Sequence, residues 1–192
     1  AERLVAQQRL RGRDRRLREL RAELAAVRRE SDLLAQELRA EARTDPLTGL
    51  GNRRRWEERL ALELERAGRH GTTVAVALVD LDRFKQVNDS HGHAAGDALL
   101  KDVAGAFAES VRAVDLVARV GGEEFGLALP DVGLPDALHI VERVRRSAAV
   151  GVTASAGVAL WDGAETADAL VERADRALYA AKAAGRDRLV VA

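Results

Sequence analysis

The chain has 192 residues, and its 31 Lys+Arg and 31 Asp+Glu cancel to a formal net charge of zero. That balance excludes a general basic nucleic-acid binder or a polybasic membrane binder, unless the two signs are segregated along the chain. The absence of Cys excludes disulfides, thiolate catalysis and Cys-ligated zinc, and no apolar run approaches the ~20 residues of a membrane-spanning helix.

The length fits one domain, or one domain with an extension. The composition favours the second. Residues 1–44 hold 12 basic and 8 acidic residues, so they carry +4 and the remainder carries −4. One apolar stripe runs Leu10, Leu17, Leu24, Ser31, Leu38, and a second runs Arg13, Leu20, Val27, Leu34, Glu41. Spacings alternate three and four, as the a and d positions of a coiled coil require. Val at a with Leu at d fits a parallel dimer, with Arg13 and Ser31 as soft points in the seam. Asp45-Pro46 ends the pattern, because proline disfavours helix at the residue before it. Residues 1–44 are therefore expected to form a dimerising coiled-coil helix, and 45–192 the functional domain. The chain contains no Met. This is expected of a piece of a longer or processed protein, with an upstream sensor domain lying outside it.

The second region alternates helical and strand patterns. An arginine-rich helix is expected over 52–68, and then a strand at 73–80 that is apolar on both faces and so central. A helix follows over 94–111, and two short strands near 115–120 and 124–129 flank Gly121-Gly122 as a hairpin. Next come a helix over 135–148, a strand over 152–160, a helix over 167–183 with Thr166 as N-cap, and a last strand at 188–191. The sum is an α+β fold with a mostly antiparallel central sheet covered by helices.

Two places could carry chemistry. The apolar strand ends in Asp80-Leu81-Asp82, and carboxylates at a strand end suit Mg²⁺, which takes oxygen ligands and shares them with substrate phosphates. The hairpin reads Gly121-Gly122-Glu123-Glu124-Phe125, two adjacent acids on a turn tight enough to need glycine. His91 and His93 lack an evident third ligand for zinc, and no GxxxxGK[ST] loop is present.

Several long motifs now add up. DPLTGLGNRR (45–54), DLDRFKQVND (80–89), GHAAGDALL (92–100), GGEEF (121–125), VTASAGVA (152–159) and ADRALYAAKAAGR (174–186) occur in order. With these, the second region resembles the GGDEF family, the diguanylate cyclases. The resemblance implies a fold like the palm of nucleotidyl cyclases and polymerases. It also implies condensation of two GTP into cyclic di-GMP with release of two pyrophosphates. By the resemblance, Asp80, the Leu81 carbonyl and Glu123 hold Mg²⁺, with Mn²⁺ as a possible substitute, and Asp82 stands behind them. Glu123, Glu124 and Lys85 match catalytic positions. Asn88 and Asp97 match those that read guanine, and Phe84 is also assigned to substrate binding. A carboxylate at Asp97 suits guanine, whose N1–H and 2-amino group both donate. Lys85, Lys182 and Arg186 match phosphate contacts. Arg112 and Asp115, in an RxxD six residues before Gly121, match a product-inhibition site, with Arg143 as its secondary arginine. The family often has Asn where this chain has Asp187.

The resemblance further implies that each domain holds one GTP and that two must face each other, so a homodimer through the coiled coil is expected. GTP and cyclic di-GMP are the expected small-molecule partners. No nucleic-acid partner is expected, and the location is expected to be cytoplasmic. The competing reading is a catalytically inactive module of the same fold that acts as a receptor for cyclic di-GMP or GTP.

Overall fold

The computed structural model describes residues 43–148 and 151–192, together with Leu24 and Arg28, which are helical and exposed. The coiled-coil expectation for 1–44, with its seam residues, otherwise lies outside the described residues. The chain divides into two units, Ala1–Ala42 and Arg43–Ala192.

In the second unit the elements run β1 (Gly51–Asn52), α1 (Arg53–His70), β2 (Val74–Leu81), α2 (Phe84–His91), α3 (His93–Glu109), β3 (Leu116–Arg119), β4 (Glu124–Pro130), α4 (Leu134–Arg146), β5 (Ala154–Leu160), α5 (Ala167–Ala183) and β6 (Leu189–Val191). The strands form one sheet in the order β1-β3-β4-β2-β5-β6. Its centre is antiparallel, but β1 joins β3 and β6 joins β5 in parallel. The sheet is therefore mixed, which corrects the expectation of a mostly antiparallel one. The reason is connectivity: α5 carries the chain back across the sheet, so β6 leaves in the same direction as β5, as in any strand–helix–strand crossover.

Strand β2 is central and buried on both faces, as its apolar run implies. Its residues alternate between two cores. Ala75, Ala77, Val79 and Leu81 pack with Phe84, Leu100, Val103, Phe107, Val141 and Val144, under α2, α3 and α4. Val74 and Val76 pack with Trp56, Leu60, Leu170 and Ala174, under α1 and α5. Asp80 shares the parity of this second set, so its side chain faces the layer that contains α5.

Two helix ends matter for the site. Thr166 caps α5, its side chain accepting from the Ala169 amide at 3.3 Å. The other end closes in a Schellman turn: the Arg186 amide donates to the Ala181 carbonyl at 3.0 Å and the Gly185 amide to Lys182 at 3.4 Å. Gly185 takes φ 113, a value that glycine tolerates and other residues rarely adopt.

Candidate active site

The end of β2 gathers the acids. Asp80 pairs with Glu124 across the β2–β4 ladder, and the Leu81 amide donates to the Glu123 carbonyl at 3.2 Å. The two expected acidic motifs, 43 residues apart in sequence, are therefore adjacent in space. Asp80 is only 6% exposed. Burial pushes its carboxyl up to about 6, against the pull of the Lys182 ammonium and with a further push from Glu123 and Glu124.

Lys182 reaches Asp80 from α5, with Nζ 2.8 Å from Oδ2. Its delivery depends on a close approach of helix to sheet. A Cβ on Gly157 of β5 would lie 2.1 Å from the Ala174 carbonyl oxygen and 2.2 Å from the Leu178 nitrogen. Only glycine lets α5 lie that near. Ala174, Leu178 and Lys182 follow at four-residue spacing on one helix face, so seating the first two aims the third at the strand end.

The hairpin between β3 and β4 is held by arginines that sequence spacing does not single out. Arg53 Nε donates to the Val120 carbonyl at 2.8 Å. Arg119 donates twice to the Gly122 carbonyl, at 3.0 and 2.6 Å, and its Nη1 lies 3.2 Å from Asp45 Oδ1. Burial raises the Asp45 carboxyl, but bonds from Thr48 and Arg119 outweigh it and hold the group below the usual carboxylate range. The Glu124 side chain lies over Gly121, where a Cβ would meet Oε2 at 2.4 Å. A cavity of about 360 Å³ on this side is lined by Arg53, Trp56, Val120, Glu124, Asp175 and Leu178, among others.

The other expected site residues fall on α2, α3 and the turn after α5. Lys85 is exposed on α2, Asn88 is half-buried on α2, and Asp97 is exposed on α3. Gly96 sets the approach of these two helices: a Cβ there would meet Asn88 Oδ1 at 2.0 Å and Phe84 Cζ at 3.1 Å. Phe84 is a core residue, 6% exposed, with its ring against that contact. Arg186 follows α5 in the left-handed region, at φ 65. Asp82 is not open to a ligand. Its carboxylate accepts from Thr153 Oγ1 and Ser155 Oγ, both at 2.7 Å, and from the Asp187 amide at 3.0 Å.

The three expected inhibitory residues also come together. Arg112 Nη2 binds Asp115 at 2.6 Å and the Pro130 carbonyl at 3.0 Å, and the Arg112 amide donates to Asp115 Oδ2 at 2.9 Å. Arg143 Nε docks from α4 onto the Ser110 carbonyl at 2.9 Å, two residues before Arg112.

The donor set at the strand end fits a hard divalent cation. It offers Asp80, Glu123 and backbone carbonyls, all oxygen, around a carboxyl whose ionisation burial and the two glutamates oppose and Lys182 favours. Among the described residues, no group of three or more His, Cys, Asp or Glu is placed so that it could hold a metal ion by side chains alone.

The family model described as diguanylate cyclase, GGDEF domain, matches residues 42–188. The chain belongs to the GGDEF family of diguanylate cyclase domains. Diguanylate cyclase DgcP of Pseudomonas aeruginosa is 44% identical over 167 residues, covering 82% of this chain and 25% of that protein. Response regulator PleD of Caulobacter vibrioides is 43% identical over 160 residues, covering 77% and 35%. This chain thus spans about a quarter to a third of the length of those relatives. Among solved structures, diguanylate cyclase SiaD in complex with its activator SiaC, from Pseudomonas aeruginosa, matches with TM-score 0.75 and 43% identity over 100% of this chain and 80% of that one. The coiled coil and GGDEF domain of DgcB from Caulobacter crescentus, in complex with c-di-GMP, matches with TM-score 0.75 and 32% identity over 90% and 99%. Among the described residues, no helix is long and apolar enough to cross a membrane.

Proposed function

We propose that this chain is an active diguanylate cyclase. In each half-reaction the 3′-hydroxyl oxygen of one GTP bonds to the α-phosphorus of the other. The bond to the β-phosphate oxygen breaks, and pyrophosphate leaves. Two such steps close cyclic di-GMP. The observation that carries the reading is the convergence of Asp80, the Leu81–Glu123 backbone contact and Lys182 at one strand end.

Asp80, Glu123 and the Leu81 carbonyl would hold Mg²⁺ or Mn²⁺. When bound, such a cation neutralises charge building on the reacting phosphates. Glu124, directly across the ladder from Asp80, is the carboxylate we assign to take the 3′-hydroxyl proton. Lys85, Lys182 and Arg186 bind the triphosphate. Their fixed positive charge favours the transition state, where the leaving pyrophosphate gains charge. Asn88 and Asp97 read guanine from two helices locked at Gly96.

One domain offers one such site, so two copies must meet face to face. The heptads of 1–44 would raise the local concentration of one domain beside the other. The coiled coil in the DgcB structure at 90% coverage supports that reading. Cyclic di-GMP returning to Arg112, Asp115 and Arg143 would restrain the enzyme.

Incubation with GTP and Mg²⁺ followed by product chromatography tests the proposal. Cyclic di-GMP and two pyrophosphates per product are expected. Tight binding of nucleotide with no product would instead favour the receptor reading.

A further inference from the structure

Arg145 belongs to none of the sets assigned above, yet it is 8% exposed and makes bonds on three sides. It stands in the last turn of α4. Nε and Nη2 each bind the Glu142 carboxylate at 2.8 Å. Nη1 donates to the Ala154 carbonyl at 3.3 Å, at the start of β5, and also to the Asp187 carboxylate. One guanidinium therefore joins α4, β5 and the turn that follows α5.

That turn needs holding. Gly185, Arg186 and Asp187 have φ of 113, 65 and 47, three left-handed residues in succession. Two of them bear side chains, and such conformations persist only where surrounding structure over-determines them. Asp187 has two tethers. Its amide donates to Asp82 Oδ2 at 3.0 Å, and its carboxylate accepts from Arg145. Asp82 is itself 6% exposed and fixed by Thr153 and Ser155. The backbone that presents Arg186 is thus gripped by Asp82 through an amide and by Arg145 through a carboxylate.

We propose that Arg145 is a positioning residue for the triphosphate: acting through Asp187, it locks the left-handed turn that presents Arg186. The proposal rests on reading Arg186 as a phosphate contact. Arg145 itself touches no nucleotide. Arginine suits the task because its planar fork binds Glu142 with one edge and leaves Nη1 for two further acceptors, which a lysine ammonium cannot reproduce in one plane.

The test uses Asp187→Ala, Arg145→Lys and Arg145→Gln in the full chain, with Arg186→Ala as reference. Asp187 has a 58% exposed side chain, so its substitution does not threaten the core. The expected result for all three is a rise in KM for GTP of ~10-fold with kcat within ~2-fold. In an Arg186→Ala background the same changes should add nothing, because coupled residues are not additive. Amide exchange at residues 185–188 should quicken while α4 and β5 stay protected. A lowered melting temperature with unchanged KM and unchanged exchange at 185–188 would overturn the proposal and make Arg145 a structural residue only. The exchange readout needs no turnover. If the wild-type chain makes no product, the functional reading fails, while exchange still decides whether Arg145 holds the turn.

Discussion

Lys182 Nζ lies 2.8 Å from Asp80 Oδ2, so the last turn of α5 and the end of β2 meet at an ion pair between a half-buried lysine and a buried carboxylate. The lysine assigned to phosphate therefore sits one carboxylate away from the acids assigned to metal. Removing it takes away a cation from the triphosphate and also leaves Asp80 buried without its partner. Lys182→Ala is expected to lower kcat/KM for GTP by ~100-fold or more, the scale of losing one preorganised charge in a reaction of this kind. Steady-state kinetics on the variant checks this, and a loss below about threefold would contradict it.

The approach of α5 to the sheet gives a second prediction. At Gly157 an added methyl would meet helix backbone, which cannot swing aside. Gly157→Ala should destabilise the domain by ~1–3 kcal/mol, as overpacking does, and should lower activity as α5 and Lys182 are pushed outward. Gly105 is the control. It sits exposed within α3, and an added methyl there would have nothing within 4 Å. Gly105→Ala should therefore stabilise by ~0.5–1 kcal/mol. Thermal melts of both variants compare the two signs.

Product inhibition should separate from catalysis. The Asp115 side chain is fully buried in its turn, whereas Arg112 is 41% exposed and can turn toward a ligand. Arg112→Ala is therefore expected to weaken inhibition by added cyclic di-GMP by ~10-fold or more, as loss of a bidentate phosphate contact would. Initial rates without added product should hold. Inhibition curves at fixed GTP decide the matter.

Acid should remove a stabilising contact at the α4 end. Bonds from Arg145 and Arg146 outweigh the effect of burial and hold Glu142 down at about 2, from an ordinary 4.5. A carboxyl depressed in the folded state stabilises it above the unfolded pKa and loses that contribution as pH falls toward the folded one. The wild type should lose stability between about pH 4.5 and 2 more steeply than Glu142→Gln, which has no such proton to gain. Denaturant melts across that range measure the difference.

Much of the site is legible in the sequence because its motifs sit on strongly patterned elements. Helix α5 matches its expected span and its Thr166 cap, since a capping residue precedes a long apolar stripe. The buried run of β2 and the Gly121-Gly122 hairpin are equally clear. Helix α2, which carries Lys85 and Asn88, is not. Its FKQVNDSH is short and rich in weak helix formers, and it starts after a left-handed Arg83 with no side-chain cap. What holds it is tertiary: Phe84 and Asn88 seated on Gly96. The parallel sheet edges are hidden because β1 has two residues and β6 three, too few for a period to declare itself. Arg53, Arg119 and Arg145 do not stand out in so arginine-rich a chain, because their roles lie in distant carbonyls and carboxylates that local spacing does not reveal.

The central claim is that two copies of this domain join two GTP into one cyclic product. It is tested most directly by cyclic di-GMP formation from GTP and Mg²⁺ across a range of protein concentration, for the full chain and for a form lacking residues 1–38. Cyclic di-GMP is expected from both. In the low micromolar range the full chain should be faster per molecule, with the shorter form catching up as concentration rises. Equal rates in that range would contradict the role given to the N-terminal segment, and absence of cyclic di-GMP at every concentration would contradict the central claim itself.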